Sequence, residues 1–381
     1  MVKIFVTGDN HFGKKYDRYP EVKDKLIESR FDVLTDMVQK AESEGCALFF
    51  VTGDLFDSIN NIKVAYVKRV VDILAAFTGT VIVLPGNHDY YTGEEKVWKD
   101  FDHALSSREH NIILIKEFKP YEFDAGEDKV VVYPAFCQSK HSKENNLGWI
   151  KEAEIQMDGV INIGLAHGAI QGLTPDIKEE YFLMTESELS QIPVDVWLIG
   201  HTHIPYPNIL MEDADIEGYK IFNAGTHEQT DIHNNTDGNG FIISIEKQGS
   251  DAKVLARKYV SGKVHYYDLE IQVKPDSDTT LEDAIEKAID GKDRNAVVRI
   301  RVSGSVRQAE YQDRDRIYRN LLGDFLTYEK EDSELSEEIT VEKIREEFAE
   351  TSFAAQFLEA LIDNTTELQM AYRLLQNCRE N

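Results

Sequence analysis

Residues 47–57 read ALFFVTGDLFD: an apolar run, then Thr52-Gly53-Asp54, then a second acid at Asp57. Leu48 to Val51 is apolar on both faces, as expected of a strand covered on each side. The same grammar recurs outward from it. Upstream lies KIFVTGD (3–9). Downstream lie TVIVLPGNHD (80–89), KVVVYPAF (129–136), INIGLAHG (161–168), DVWLIGHTH (195–203), KIFNAGT (220–226) and GFIISIEK (240–247). Between the first two runs, Val22, Leu26, Phe31, Leu34, Val38 and Ala41 mark one face of a helix, and a second helix is expected over 62–78. Short β-rich runs alternating with amphipathic stretches predict an α/β layer structure.

Five of the runs end in polar residues: Asp9 to His11, Gly53 to Asp57, Gly86 to Asp89, His167 to Gly168, and Gly200 to His203. The carboxyl ends of strands in open α/β sheets are where loops splay apart and ligands bind, so these ends are expected to converge. They supply Asp9, His11, Asp54, Asn87, His167, His201 and His203, a carboxylate, amide and imidazole set with no thiolate. Such a set suits a divalent ion such as Mn²⁺, Fe²⁺ or Zn²⁺. The Asp-x-His and His-x-His spacings put both side chains of a pair on one side of an extended segment. Two such pincers around a central carboxylate could hold two ions about 3.5 to 4 Å apart, the arrangement that activates water for in-line displacement at phosphorus. One Asp-x-His is common by chance; five polar blocks in this order after strands are not.

The blocks GDNHFG, GDLFD, GNHD, LAHG and GHTH resemble, in order, those of the calcineurin-like metallophosphoesterases over about residues 1–205. GDLFD, the GHTH block, FNAGTHE and a trailing small α/β segment further resemble the DNA repair nucleases of the SbcD and meiotic recombination eleven type. The resemblance implies a four-layer α/β/β/α sandwich with a small α/β capping domain and a C-terminal helical segment. It implies that Asp9, His11, Asp54 and His203 bind one ion and that Asp54, Asn87, His167 and His201 bind the other, with Asp54 bridging. His88 would face the scissile phosphate, and Asp57 would orient it through the other ring nitrogen. Two divalent ions are implied, usually Mn²⁺ in this family, with Fe²⁺, Zn²⁺ or Mg²⁺ as the other candidates. The implied partners are DNA ends and hairpins, a second copy of the chain, and an SMC-like ATPase of the SbcC type docked on the C-terminal helices. Two departures stand out. Some members carry His at the position of Asp57, which bears on the balance of exonuclease and endonuclease action. Gly225-Thr226-His227-Glu228-Gln229 stands where relatives often show Gly-Ser-x-Glu-Arg, so one arginine contact to phosphate is missing.

A chain of 381 residues is long enough for more than one domain. The expected divisions are a nuclease domain over 1–258, a capping domain over 259–328, and an acidic linker with partner-binding helices over 329–381. In the capping region the pattern predicts strands at 264–273 and 296–303 and helices at 280–290 and 311–328. Net charge is −27, which opposes unaided binding to any polyanion, so a phosphodiester substrate needs local positive charge. Arg299 and Arg301 share one strand face, with Val298, Ile300 and Val302 on the other. They are candidate DNA-backbone contacts, and the alternative is pairing with nearby acids. Tyr90 could stack on a base or pack under its loop. Phe348, Phe353, Phe357, Leu361, Leu368, Leu374 and Leu375 give the last segment an apolar stripe, for a partner or for packing within the chain.

Cys46, Cys137 and Cys378 are widely spaced and form no C-x-x-C pair, which fits a reducing cytoplasm; the resemblance to DNA repair nucleases implies a place near the nucleoid in a prokaryote. No apolar stretch is long enough to span a membrane. His110, His141, His227, His233 and His265 are expected at the surface, and His103 on a helix face. Other readings remain open: a phosphodiesterase for small substrates such as cyclic nucleotides, a protein phosphatase, and a non-catalytic scaffold on the same fold. Protein phosphatases show GDxxDRG and GNHE, whereas here Ser58 follows Asp57 and Asp89 follows His88. Purple acid phosphatases need a tyrosine ligand in the neighbourhood that Asp57 occupies.

Overall fold

A computed structural model describes residues 1–107, 109–173, 180–209, 214–234, 236–274 and 279–380. The chain divides into two compact units, one of residues 1–266 with 295–297, the other of 267–294 with 298 onward.

The first unit contains strands β1 (Val2–Thr7), β2 (Leu48–Val51), β3 (Thr80–Val83), β4 (Ile112–Leu114), β5 (Tyr121–Ala125), β6 (Asp128–Ala135), β7 (Val160–His167), β8 (Val196–Gly200), β9 (Asp215–Glu217), β10 (Ile221–Phe222), β11 (Asn239–Gln248) and β12 (Asp251–Val260). Its helices are α1 (Lys23–Ser43), α2 (Val64–Leu74), α3 (Lys96–Ser106), α4 (Gly148–Glu152) and α5 (Glu186–Gln191). Among the described residues, a seven-stranded sheet runs β4-β3-β2-β1-β11-β12-β9 and a five-stranded sheet runs β10-β8-β7-β6-β5.

Strand alternation sets the layers. Phe5, Phe49, Val51 and Val81 face Phe31, Leu34, Val70 and Phe101 of the helices. Ile4, Val6, Phe50 and Ile82 face the second sheet, meeting Val132, Ile163, Leu165 and Leu198. The outer side of that second sheet packs Tyr133, Ala166, Trp197 and Ile199 on Ile150 and Leu189 of α4 and α5. This is the expected α/β/β/α order, with each sheet buried on both faces.

Parallel pairing aligns the strand ends that matter. Thr7 lies beside Val51, and Val51 beside Val83, in the first sheet. His167 lies beside Gly200 in the second. The loops leaving β1, β2 and β3 are therefore neighbours, as are those leaving β7 and β8.

The second unit carries most of β13 (His265–Val273), α6 (Leu281–Ile289), most of β14 (Ala296–Val306), α7 (Gln308–Leu322) and β15 (Thr327–Glu337), followed by α8 (Val341–Glu347), α9 (Phe353–Ala360) and α10 (Thr365–Glu380). The sheet order is β13-β14-β15. Val298, Ile300 and Val302 are buried against solvent on the face opposite Arg299 and Arg301, as their alternation predicts. Three expectations need correction. The division at 258 would cut β12, which runs to Val260 as the long partner of β11. The helix expected to reach 328 stops at Leu322. Residues 329–337, expected as acidic linker, belong to β15. An edge strand pairs through its backbone and carries charge outward, so acidity alone does not mark a linker. Ser336 Oγ donating to the Gly304 carbonyl and the Arg314–Asp332 pair fix this strand.

The apolar stripe of the last segment divides. Phe348 and Leu368 join Ile344, Ala355 and Leu358 in a small core, whereas Phe353 and Leu374 are 77% and 60% exposed. No helix among the described residues is long and apolar enough to cross a membrane. Cys46 and Cys137 are buried, Cys378 is exposed, and all are free thiols.

Candidate metal centre

The loops that end β1, β2 and β8 are held in backbone shapes that their residues do not choose. Among the described residues, Asp9 (φ 48°), His11 (φ 47°), Asp54 (φ 51°) and His201 (φ 107°) are four of the six non-glycine positions with positive φ. Each such position costs on the order of 1 to 3 kcal/mol and persists only where its surroundings impose it. Here the N–H groups of Asp9 and His11 donate to the Gly53 and Asp54 carbonyls at 3.0 and 2.9 Å, strapping the two loops together. The His201 N–H lies 3.1 Å from both Asp9 oxygens. Gly86 is also forced: a Cβ there would overlap the Asp54 carboxylate and backbone nitrogen.

This framework brings all seven expected donors together. Asp9, His11 and His203 form one group and Asp54, His167 and His201 another, each with ligand atoms within 4.8 Å of one another. His11 Nε2 and His203 Nε2 are 3.0 Å apart. Asn87 Oδ1 lies 3.0 Å from both His167 Nε2 and His201 Nδ1. Asp54 Oδ2 is 3.8 Å from His11 Nε2 and 3.4 Å from His167 Nε2, so one oxygen reaches both groups. The donors fit two divalent cations, since imidazole nitrogens and carboxylate oxygens aimed at common points repel or waste their lone pairs unless a cation or proton lies between.

The charges are interdependent. Burial favours a neutral His167, but Asp54 and Asp9 beside it and the Thr52 carbonyl prevail and raise it to about 9. Burial drives His11 and His203 down, and pushes the Asp9 carboxyl up. The Thr52 carbonyl, 2.9 Å from His167 Nδ1, fixes that ring and leaves Nε2 for the centre.

The model of one family, described as calcineurin-like phosphoesterase, matches residues 2–205, more than half the chain and every donor. The chain belongs to the calcineurin-like phosphoesterases. As a member it is a metal-dependent phosphoester hydrolase. It is similar to the calcineurin-like phosphoesterase YfkN of Bacillus subtilis, at 14% identity over 67% of this chain and 90% of that one, with a TM-score of 0.39. A dimetal phosphatase of Danio rerio is 13% identical over 68% and 99% of the two chains, with a TM-score of 0.37.

Within this phosphoesterase site, Asp57 acts differently from expectation. Its backbone carbonyl, not its carboxylate, meets His88 Nδ1, at 3.1 Å. The carboxylate lies 3.4 Å from His11 Nδ1, too poorly aligned for a hydrogen bond but close enough to favour the ring orientation that frees Nε2. Burial works to raise the Asp57 carboxyl, and His11 beside it reverses the sign, leaving it lowered. His88 is half-buried, stands edge-on to His11 with ring centres 4.8 Å apart, and donates its N–H to Asp54 Oδ1 at 2.8 Å. With His11 and Asp57 it makes a third group of nearby donors.

Several supporting residues escaped the sequence reading. Asp89 accepts from the Phe56 and Gly86 N–H groups at 2.9 and 2.7 Å, tying the GDLFD and GNHD loops, and its fixed place in GNHD was the available signal. Burial and the Asp54 charge raise its carboxyl to about 7. The Tyr181 ring lies 4.9 Å from that of His201, with nothing in the sequence to announce it. His227, expected at the surface, is fully buried, with Nε2 3.1 Å from the Arg30 carbonyl. Glu228 accepts from Ser29 and from the Lys263 and Val264 N–H groups, and Gln229 from the Tyr266 N–H. The THEQ block is thus a structural clasp. Thr226 Oγ1 donates to the Asp9 carbonyl at 3.0 Å.

Arg299 and Arg301, candidate DNA contacts, lie apart from these donors in sequence and are occupied otherwise. Arg299 and Arg301 both bind Asp268, at 2.5 and 3.0 Å, and Arg301 also reaches Glu270 at 2.7 Å. Tyr90 is half-buried, while its neighbour Tyr91 packs its ring against Phe136.

Proposed function

We propose that the chain is a dinuclear metal-dependent phosphodiesterase that cleaves DNA at ends or hairpins. The observation that carries the hydrolytic part is Asp54 Oδ2 standing between two donor groups with His88 alongside. Two divalent ions, manganese in the leading case, would supply an activated water and neutralise charge on the phosphate. The chain's own residues do the rest. Asp54 spans both groups; Asn87 supplies an amide oxygen to His167 and His201; the Asp57 carbonyl holds the His88 ring. With Nδ1 held by that carbonyl, the other ring nitrogen of His88 is the one placed to pass a proton to the leaving oxygen. The diester preference rests on the absence of the Asp-Arg-Gly arginine that would grip a phosphomonoester, and the DNA substrate on the block order GDLFD, GNHD, GHTH with a trailing α/β unit. The exposed Phe353, Phe357, Met370 and Leu374 support a docking face for an SMC-like ATPase.

A second reading has its own support. With Arg299 and Arg301 neutralised by acids and a net charge of −27, the chain offers little to a long polyanion, which favours a small diester such as a cyclic nucleotide. Manganese-dependent digestion of end-labelled duplex, single-stranded and hairpin DNA, run beside cyclic nucleotides and bis(p-nitrophenyl) phosphate, separates the two. Turnover of cyclic nucleotides without DNA cleavage sinks the nuclease reading; no turnover and no bound metal sinks both.

A further inference from the structure

Arg30, on α1, is 2% exposed, and its guanidinium is aimed at the ligand loop. Nε and Nη2 both donate to the Asn10 carbonyl, at 3.0 and 2.5 Å, and Nη1 donates to the Tyr16 hydroxyl at 3.2 Å. Asn10 sits between Asp9 and His11, two of the four donors with positive φ. The direction of the Asn10 carbonyl fixes the plane of the Asn10–His11 peptide, and with it the angle at which His11 leaves the chain. Two charge-assisted bonds to one carbonyl are a stronger and more directional hold than a single neutral one. The neighbouring carbonyl, that of Asp9, is held by Thr226 Oγ1, and the Arg30 carbonyl meets His227, so helix and loop are fixed against each other from both sides. None of the three guanidinium bonds reaches the Asp54, Asn87, His167 and His201 group, whose rings are set by Thr52 and Asn87 instead.

We propose that Arg30 is a positioning residue for one ion of the pair: through the Asn10 carbonyl it holds Asp9 and His11 in the posture from which, with His203, they take a divalent cation. The proposal rests on the dinuclear reading above. Removing such an outer partner weakens metal binding by about 10- to 100-fold, and here the loss falls on one ion only.

The test is calorimetric titration of metal-free protein with Co²⁺, alongside the Co²⁺ absorption spectrum and the unfolding temperature. Wild type is expected to bind two ions. R30M is expected to bind one at wild-type affinity and the other at least about ten-fold more weakly, while Y16F, which leaves both bonds to Asn10, keeps both affinities. Where R30M does not fold, R30K retains the buried cation but donates from a single nitrogen, and a selective loss of affinity in the same ion, smaller than that of R30M, is expected. Unchanged affinities in a folded R30M or R30K, or equal weakening of both ions, overturns the role of Arg30 and leaves the dinuclear reading intact. A wild type that binds no Co²⁺ removes that reading first, and the role of Arg30 with it.

Discussion

Asp54 and His88 are adjacent in space and bonded to each other, yet their removal has different consequences. Asp54 reaches both donor groups, so D54A is expected to lose bound metal, measured by elemental analysis after gel filtration in Mn²⁺ buffer. His88 is held by the Asp57 carbonyl and by Asp54 at its N–H, a contact any residue can make, so H88A is expected to keep both ions while hydrolysis of bis(p-nitrophenyl) phosphate falls at least about 100-fold. Turnover of H88A near wild type would falsify the assigned role. The seven donors were legible because each ends an apolar run, a pattern local in sequence. What Asp57 and His227 do was not legible. Whether a carboxylate or a carbonyl faces a ring, or whether a histidine is buried, depends on neighbours such as His11 and Arg30, which lie 46 and 197 positions away in the chain.

At the scale of elements, α1 ends on an acid that its own dipole disfavours, and the surrounding strands correct this. Glu44, the C-cap of α1, binds Lys40 at 3.0 Å, Arg257 of β12 at 2.7 Å and Lys3 of β1 at 3.4 Å. The bond from Lys40, with the charges of Arg257 and Lys40, outweighs desolvation and holds its carboxyl at about 2 against an ordinary 4.5. A carboxyl lowered on folding stabilises the fold above its unfolded value and ceases to as pH falls toward its folded one. E44Q is therefore expected to cost about 1 to 2 kcal/mol at neutral pH, after allowance for the partly exposed partners, with the deficit shrinking from pH 4.5 to 2. Thermal unfolding of both proteins across that range measures it, and a deficit independent of pH contradicts it. Strand alternation and the 22–41 helix stripe made most elements readable. β15 stayed hidden because Thr327–Glu337 has only Leu335 fully buried, and what makes it a strand is backbone pairing with β14.

At the scale of the whole molecule, charge is the distinguishing property. A protein that binds DNA through six to ten phosphate contacts loses about 10³ to 10⁵ in affinity between 50 and 200 mM salt. With Arg299 and Arg301 already paired, this chain is expected to lose less than about ten-fold in DNA affinity over that interval, measured by fluorescence anisotropy on a labelled hairpin. A steep salt slope would mean that those arginines leave Asp268 for the phosphates. All seven donors, His88 and Arg30 lie before residue 204, within the first compact unit. The donors for hydrolysis are thus written in one stretch of the chain, and residues 267–294 with 298 onward make up another unit. Mutation can rewrite the last third of such a protein while the inherited donor set stays as it was.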